Sequence, residues 1–144
     1  MEVEYKLTIP GKPIGKGRPK FSTAGNYVRT YTPQQTVEYE NLVRLAWMES
    51  GFKKLSGNVG VFISAYFPIP ASISKKKREK MEGAFYDKKP DVDNICKIIL
   101  DALNGIAYDD DKQVVKVAIT KLYSAEPRAV VYICGEGEFY ESDV

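Results

Sequence analysis

The 144-residue sequence contains no histidine. A chain without histidine cannot build a Ser-His-Asp triad, a Cys-His dyad or a histidine-ligated zinc site, and it has no imidazole to act as a general base. Any catalysis must therefore rely on carboxylates, lysines, backbone groups or a bound metal ion. This single absence excludes several common hydrolase mechanisms.

Cysteine and long apolar segments are also scarce. The two cysteines, Cys96 and Cys134, do not have the spacing of a metal site, and each is expected to be a small buried hydrophobic residue. No apolar run approaches the roughly 20 residues that cross a bilayer. The first six residues lack the basic and apolar segments of a signal peptide. We therefore expect a cytoplasmic protein that makes no contact with membranes.

The rest of the composition is that of a folded protein, with 44% apolar and 28% charged residues. We predict one α+β domain at 1–135, with a small mixed β-sheet packed with helices, and a loosely ordered acidic tail at 136–144. Apolar periodicity predicts strands at 5–9, 59–67, 113–123 and 129–133, and helices at 32–50, 72–81 and 93–104. The last two strands are expected to form an antiparallel pair.

The predicted helix at 32–50 carries signals at both ends. Thr32 is expected to be its N-cap, Pro33 suits the first helical position, and Gly51 ends it. Its apolar side is predicted to consist of Val37, Leu42, Leu45 and Trp47. The Gly-, Pro- and Lys-rich segment before it is predicted to be a long loop with a short hairpin at 24–26. The later basic helix is expected to begin at Ser72 or Ser74.

Positive and negative charges are segregated along the chain, although the net charge is only +2. Residues 11–30 contain five basic side chains and no acid, and residues 75–80 contain five basic side chains and one acid. This separation suits a polyanion held by basic loops around a carboxylate centre, although charge alone fits ordinary solvated loops equally well. The candidate contacts are Lys12, Lys16, Arg18, Lys20, Lys75, Lys76, Lys77, Arg78, Lys88 and Lys89.

The predicted helix at 93–104 is apolar over most of its surface. Its apolar residues are Ile95, Cys96, Ile98, Ile99, Leu100, Ala102 and Leu103. A narrow polar stripe remains, at spacings of four, four and three, formed by Asp93, Lys97, Asp101 and Asn104. Charged groups on an otherwise buried helix are costly unless they pair or bind something.

Acidic side chains flank this helix on both sides. Asp91 and Asp93 lie where an extended segment leads into it, so that both carboxylates can point to one place, and Asp111 can return to that place after the helix. Three converging carboxylates repel unless a cation neutralises them, and an all-oxygen cluster selects Mg²⁺ or Mn²⁺. The alternatives are that Asp91 or Asp93 merely caps the helix, and that Lys97 forms a salt bridge with Asp93 or Asp101.

Three motifs in a fixed order carry a family resemblance. They are D-x-D-N-x-x-K at 91–97, D-A-L at 101–103 and D-D-x-Q-V at 110–114. Together they closely resemble the signature of the RusA family of Holliday-junction resolvases. The glycine- and lysine-rich segment at 11–19 and the Tyr-Thr-Pro at 31–33 are similar to the phage-type branch of that family. The resemblance covers most of residues 5 to 134.

This resemblance implies a Mg²⁺-dependent endonuclease that nicks two opposing strands of a four-way DNA junction and acts as a symmetric homodimer. It implies that the metal-binding residues are Asp91, Asp93 and Asp111, and that these three and Lys97 are catalytic. A bound Mg²⁺, or Mn²⁺ in its place, activates water without a histidine base. Lys97 is expected to stabilise charge that develops on the phosphate. The basic residues named above would then contact DNA.

The chain departs from the family pattern at one position. Some members carry arginine just before the first aspartate, where this chain has Pro90, and we expect Lys88 and Lys89 to supply that DNA contact. Two other functions fit the same residues: a less selective branched-DNA nuclease, and a junction-binding architectural protein without cleavage. The architectural protein predicts a broken acidic cluster, whereas this one is intact. No small-molecule cofactor is expected.

Overall fold

The computed structural model describes residues 3–25 and 27–135. Between residues 20 and 31 it describes only some of the side chains, and that of Lys20 is not among them. The acidic tail predicted at 136–144 lies outside the described residues. Within the described part, no helix is both long and apolar enough to cross a membrane.

Strands and helices follow the predicted order, and the predicted hairpin at 24–26 is longer than expected. The strands are β1 (Val3–Pro10), β2 (Lys20–Ala24), β3 (Tyr27–Tyr31), β4 (Val59–Pro68), β5 (Val114–Ser124) and β6 (Arg128–Gly135). The helices are α1 (Gln34–Ser50), α2 (Lys75–Met81) and α3 (Val92–Leu103), and a 3₁₀ turn spans Asp111–Gln113. The hairpin of β2 and β3 forms at the predicted turn, but it pairs five residues on each side, so less of this segment is loop than expected.

The main sheet has four strands in the order β1-β6-β4-β5. Strand β4 pairs antiparallel with β6 and parallel with β5, so the predicted mixed sheet is confirmed. The predicted antiparallel pairing of the last two strands is wrong, because β4 lies between them. Val61, Ile63 and Ala65 of β4 are fully or almost fully buried, whereas Val115 and Val117 of β5 are exposed. The more apolar strand therefore takes the central position, and β5 takes an edge.

Helices α1 and α3 pack against each other and against one face of this sheet. The core joins apolar side chains of both helices to the inward-facing residues of β1, β4 and β6. Its fully buried members include Ile9, Val43, Val61, Phe67, Ile95, Ile98, Ile99, Leu103 and Ile133. The predicted apolar face of α3 is confirmed by the complete burial of its three isoleucines and Leu103.

Helix α1 differs from its prediction at its start and on its apolar side. Pro33, rather than Thr32, occupies the N-cap position, and no side chain caps this end. Val37 and Leu45 are 36% and 51% exposed, so the predicted apolar face is wrong at these two positions. The helix instead buries a face that contains Thr36, Tyr39, Glu40, Val43 and Trp47. The polar residues Thr36 and Glu40 lie on this buried face, so the positions of the apolar residues alone did not identify it.

The other predictions concern α2 and the cysteines. Of the two predicted starts of α2, the later one is confirmed, because Ser74 caps the helix by accepting a hydrogen bond from the backbone N–H of Lys77. Cys96 and Cys134 are free thiols that are only partly buried, so the expectation of full burial is wrong for both. Cys134 lies between the buried Ile133 and Gly135, and Cys96 follows the buried Ile95, which explains the apolar pattern around them.

Candidate active site

Asp91 and Asp93 lie at the N-terminal end of α3. Asp91 occupies the N-cap position with an extended backbone, φ −70° and ψ 153°, but its side chain makes no capping hydrogen bond. Asp93 follows in the first helical turn, and both side chains are exposed. A carboxylate placed at the positive end of a helix and not used as a cap is free to bind something else. The simple capping explanation for these two aspartates is therefore not supported.

Lys97 is exposed on the same side of α3, one turn after Asp93. Among the residues that the structure describes, it forms no ion pair with either Asp93 or Asp101. Asp101 is paired with Lys16 instead, at 3.3 Å. The alternative in which Lys97 serves as a structural partner of these aspartates is therefore not observed.

The three consecutive aspartates after α3 have different surroundings. Oδ1 of Asp109 forms an ion pair with Nζ of Lys54 at 2.9 Å. Oδ1 of Asp110 accepts a hydrogen bond from the backbone N–H of Lys112 at 3.1 Å, and this bond holds the pKa of Asp110 below its usual range. The pKa of Asp111 is raised, first by its hydrogen bond with the carboxyl group of Asp110. Asp111 therefore differs from its two neighbours, because its main contact is with another carboxyl group.

Gln113 holds this acidic loop in position, a role that the sequence analysis did not assign. Its Oε1 accepts hydrogen bonds from the backbone N–H groups of Asp109 at 2.8 Å and Asp110 at 3.1 Å. Its Nε2 donates to the carbonyls of Leu55 at 3.3 Å and Gly57 at 3.0 Å. The sequence contained a signal for the importance of Gln113, since this residue is the glutamine of the D-D-x-Q-V motif.

Tyr108 fixes the same loop from the other side. Its ring is fully buried, and its hydroxyl donates a 2.7 Å hydrogen bond to the carbonyl of Leu100 on α3. Burial raises the pKa of this phenol, and the nearby charges of Asp111 and Asp101 raise it further. The loop that carries Asp111 is thus attached to the helix that carries Asp93.

The predicted convergence of Asp91, Asp93 and Asp111 is not present as an assembled metal site. Among residues 3–25 and 27–135, no three His, Cys, Asp or Glu side chains are grouped closely enough to hold a metal ion. Asp111 is instead near Asp110, and the charge of Asp101 also raises its pKa. Spacing along the chain brings a loop near a helix without setting side-chain directions, so the metal-binding role of these three aspartates stays a prediction.

The basic N-terminal loop, residues 11–19, packs directly on the start of α3. The backbone N–H of Lys16 donates to the carbonyl of Asn94 at 2.8 Å. A Cβ atom at Gly15 would lie 2.8 Å from Cβ of Pro90 and 3.0 Å from Cβ of Asn94, which leaves no room for a side chain. Glycine at position 15 therefore allows the loop to approach the D-x-D-N motif closely.

Lys16, predicted to contact DNA, is held between this loop and the two helices. Its Nζ lies 2.8 Å from Oε2 of Glu40 on α1 and 3.3 Å from Oδ2 of Asp101 on α3. The side chain is 22% exposed, and that of Glu40 is 11% exposed. Burial lowers the pKa of Lys16, but its hydrogen bonds and charge interactions with Glu40 and Asp101 outweigh burial and raise it. This lysine therefore joins the loop to both helices.

The other candidate DNA-binding residues are mostly exposed. Lys12 and Arg18 are exposed on either side of Lys16, and a shallow groove of about 270 Å³ lies between this loop, Gln35 and the start of α3. On and beside α2, the candidate residues Lys75, Lys76, Lys77, Lys88 and Lys89 are all exposed, as is Lys80. Arg78 is partly buried and donates a 2.7 Å hydrogen bond to the carbonyl of Pro70. The side chain of Lys20 lies outside the described residues.

Comparisons with known proteins agree with the motif positions. Residues 10–134 match a family model described as endodeoxyribonuclease RusA. The chain is also 38% identical over 133 residues to a Bacillus subtilis (strain 168) protein described as uncharacterized protein YqaN. That similarity covers 89% of this chain and 94% of the relative.

Proposed function

Because the chain belongs to the RusA family of endodeoxyribonucleases, we propose that it is a Mg²⁺-dependent nuclease that resolves four-way DNA junctions by paired, symmetric nicks. One observation carries the proposal. At the start of α3, Asp91, Asp93 and Lys97 are all exposed and make no side-chain hydrogen bond or ion pair within the described residues. Three charged groups with no structural partner are available for substrate and metal.

The available oxygen ligands suit Mg²⁺, a hard ion that binds a few carboxylates together with water and phosphate oxygens. Asp91, Asp93 and Asp111 would hold it. Once bound, the ion would lower the pKa of a water molecule and polarise a phosphoryl oxygen. Within the described part of the chain, no hydrogen bond restrains the side chains of Asp91 and Asp93, so both are free to turn toward a shared ion. Asp111 would exchange its contact with Asp110 for this role.

Lys97 would supply a positive charge beside the acidic residues. Its exposed ammonium is one helical turn from Asp93, so it can reach a phosphate placed above the N-terminal end of α3. Charge develops on the phosphoryl and leaving oxygens as the bond breaks, and a fixed cation stabilises it. The absence of a competing carboxylate partner within the described residues leaves this charge uncompensated for that purpose.

DNA would be held by basic groups on two sides of the acidic centre. Lys12 and Arg18 come from the loop that packs on α3, and Lys88 and Lys89 directly precede Asp91. Both groups are tied to the site by backbone, because Lys16 bonds Asn94 and the 88–90 segment runs into α3. Helix α2 adds a third basic surface. These contacts would orient a phosphodiester toward Asp91 and Asp93.

The decisive experiment compares cleavage of a synthetic four-way junction with cleavage of a matched linear duplex and of a flap substrate, with and without Mg²⁺ or Mn²⁺. We expect metal-dependent cuts at symmetric positions in two opposing strands of the junction, and little cutting of the duplex. Similar rates on the junction and the flap would identify a less selective branched-DNA nuclease. Tight junction binding without cleavage under any divalent ion would identify an architectural protein.

A further inference from the structure

The ammonium group of Lys121, on strand β5, binds two main-chain carbonyls just before Asp91. Its Nζ donates to the carbonyl of Lys88 at 2.5 Å and to that of Pro90 at 2.9 Å. It also lies 5.6 Å from the centroid of the Tyr86 ring, within the range of a cation–π interaction. Among the described residues, no carboxylate pairs with it.

Tyr86 completes this attachment. Its ring stacks on Phe67 at 4.0 Å and meets the ring of Tyr123 edge-on at 5.0 Å, so its position is set by the sheet. Its hydroxyl donates a hydrogen bond to the carbonyl of Lys89 at 3.1 Å. The carbonyls of three consecutive residues, 88 to 90, therefore all accept hydrogen bonds from side chains anchored on the sheet.

The segment needs such bonds because it has few of its own. The backbone N–H of Tyr86 donates to the carbonyl of Lys121, but residues 87–90 belong to no strand or helix. An ammonium group has three donors and no acceptor, and its charge makes each bond to a carbonyl stronger than a neutral one. Lys121 can therefore fix the direction in which the chain arrives at α3, which a side chain without hydrogen-bond donors could not do.

We propose that Lys121 is a positioning residue of the candidate site, which holds the backbone before Asp91 so that the Asp91 carboxylate is directed toward the metal. This inference rests on the proposed function, because the metal ion toward which Asp91 is directed is part of that proposal. Lys121 itself touches neither the substrate nor the ligand set. It acts only through the main chain of Lys88 and Pro90.

The test is the substitution Lys121→Met, which keeps a similar length and apolar stem but removes the donors. Mn²⁺ affinity, measured by calorimetry on the full chain without DNA, is expected to fall about 10- to 100-fold, the usual effect of losing a group that orients a metal ligand. Amide hydrogen exchange over residues 87–92 should become faster. Lys116→Met is the matched control, because Lys116 lies on the same strand, 6.0 Å from the Phe62 ring, and is exposed. It should change neither quantity.

Two further variants separate positioning from general stability. Lys121→Arg keeps the donors and should restore most of the Mn²⁺ affinity. Tyr86→Phe keeps the aromatic packing and removes only the bond to Lys89, so it should weaken Mn²⁺ binding less than Lys121→Met does. A folded Lys121→Met variant with wild-type Mn²⁺ affinity and wild-type exchange at 87–92 would overturn the inference.

These measurements also distinguish this inference from the proposed function. If the wild-type chain binds no Mn²⁺ and cuts no DNA, the proposed function fails, and the hydrogen exchange comparison still decides whether Lys121 holds the segment. If the wild-type chain binds Mn²⁺ and Lys121→Met binds it equally well, only the positioning role fails.

Discussion

Nζ of Lys16 lies 3.3 Å from Oδ2 of Asp101, and this ion pair joins the basic N-terminal loop to the helix that carries Asp93. Lys16 also pairs with Glu40 at 2.8 Å, so one ammonium group connects the loop to both packed helices. The loop is thereby placed beside the candidate site, and its geometry depends on a residue that sequence reasoning assigned to DNA binding.

We expect Lys16→Met to destabilise the fold by about 1–3 kcal/mol, because it leaves the buried carboxylate of Glu40 without its donor. Urea unfolding of the purified chain measures this loss. Lys12 lies in the same loop and is exposed, so Lys12→Met should change the free energy of unfolding by less than about 0.5 kcal/mol. Equal stability of Lys16→Met and the wild type would mean that the ion pairs do not hold the loop.

The stabilisation from Lys16 should also depend on pH. The pKa of Lys16 is raised above its ordinary value of 10.5, so the folded state binds this proton more tightly than the unfolded state. Such a contribution is fully present below the unfolded pKa and disappears as pH rises through the folded pKa. The difference in unfolding free energy between the wild type and Lys16→Met should therefore be constant from about pH 7 to pH 9 and shrink above about pH 10.5.

Local signals in the sequence predicted the elements well but not their partners. The apolar spacing of Ile95, Ile98 and Ile99 identified the buried face of α3, and Gly51 was placed correctly at the end of α1, where φ is +76°. These features depend on the period of a helix and on the freedom of glycine, and both can be recognised in one short segment.

Long-range choices were the ones that failed. Nothing in the sequence near Lys16 indicates that Glu40 and Asp101 will meet it, because those contacts are created by the packing of α1 on α3. The insertion of β4 between β5 and β6 is of the same kind. For the candidate site, the motifs located Asp91, Asp93 and Lys97 at the start of α3 and included Gln113, but nothing in them indicates that Lys121 donates hydrogen bonds to the segment before Asp91.

The exposed cations of the N-terminal loop give a prediction about salt. Each lysine or arginine that neutralises a phosphate releases condensed counterions, so it steepens the fall of affinity with salt concentration. Replacing both Lys12 and Arg18 with alanine should reduce the slope of log K against log salt by about 2. Fluorescence anisotropy with a labelled junction at several salt concentrations measures it. Replacing Lys53, an exposed lysine just after the C-terminal end of α1, should leave the slope unchanged.

The metal assignment makes a sharper prediction at Asp93. Asp93→Asn keeps the size of the side chain and removes its charge, so we expect the cleavage rate in Mg²⁺ to fall at least about 100-fold, while junction binding survives. Asp91→Asn and Asp111→Asn should lower the cleavage rate in the same way as Asp93→Asn. Asp109→Asn is the control, since Asp109 forms only an exposed ion pair with Lys54. Wild-type cutting by Asp93→Asn would show that this carboxylate does not hold the ion.

Lys97 should affect turnover more than binding. If its ammonium stabilises charge that appears only as the phosphodiester bond breaks, Lys97→Ala will lower single-turnover cleavage by about 100-fold or more with a much smaller change in junction affinity. Lys116→Ala, an exposed lysine on β5, controls for loss of positive charge. A parallel loss of affinity and rate in Lys97→Ala would instead assign Lys97 to ground-state phosphate binding.

The last prediction is a symmetric homodimer. A four-way junction in its open form is close to two-fold symmetric, and two catalytic centres related by the same axis are the simplest way to couple nicks in opposing strands. The described part of the chain supplies one candidate centre, at the start of α3. In addition, α1 and α3 cover only one face of the sheet, and the partly exposed aromatic residues Phe62, Tyr66 and Tyr132 are not part of the core between helices and sheet.

Light scattering at micromolar concentration should therefore give a mass about twice the 16.2 kDa of one chain. Mixing the wild type with an excess of Asp93→Asn should convert paired cuts into single nicks, because most dimers would then contain one active centre. A population of monomers that still makes paired nicks, with a ratio of paired to single cuts unaffected by the inactive variant, would contradict the dimer. In that case the second cut would come from a separate encounter with the nicked junction, and the symmetry of the products would reflect the DNA alone.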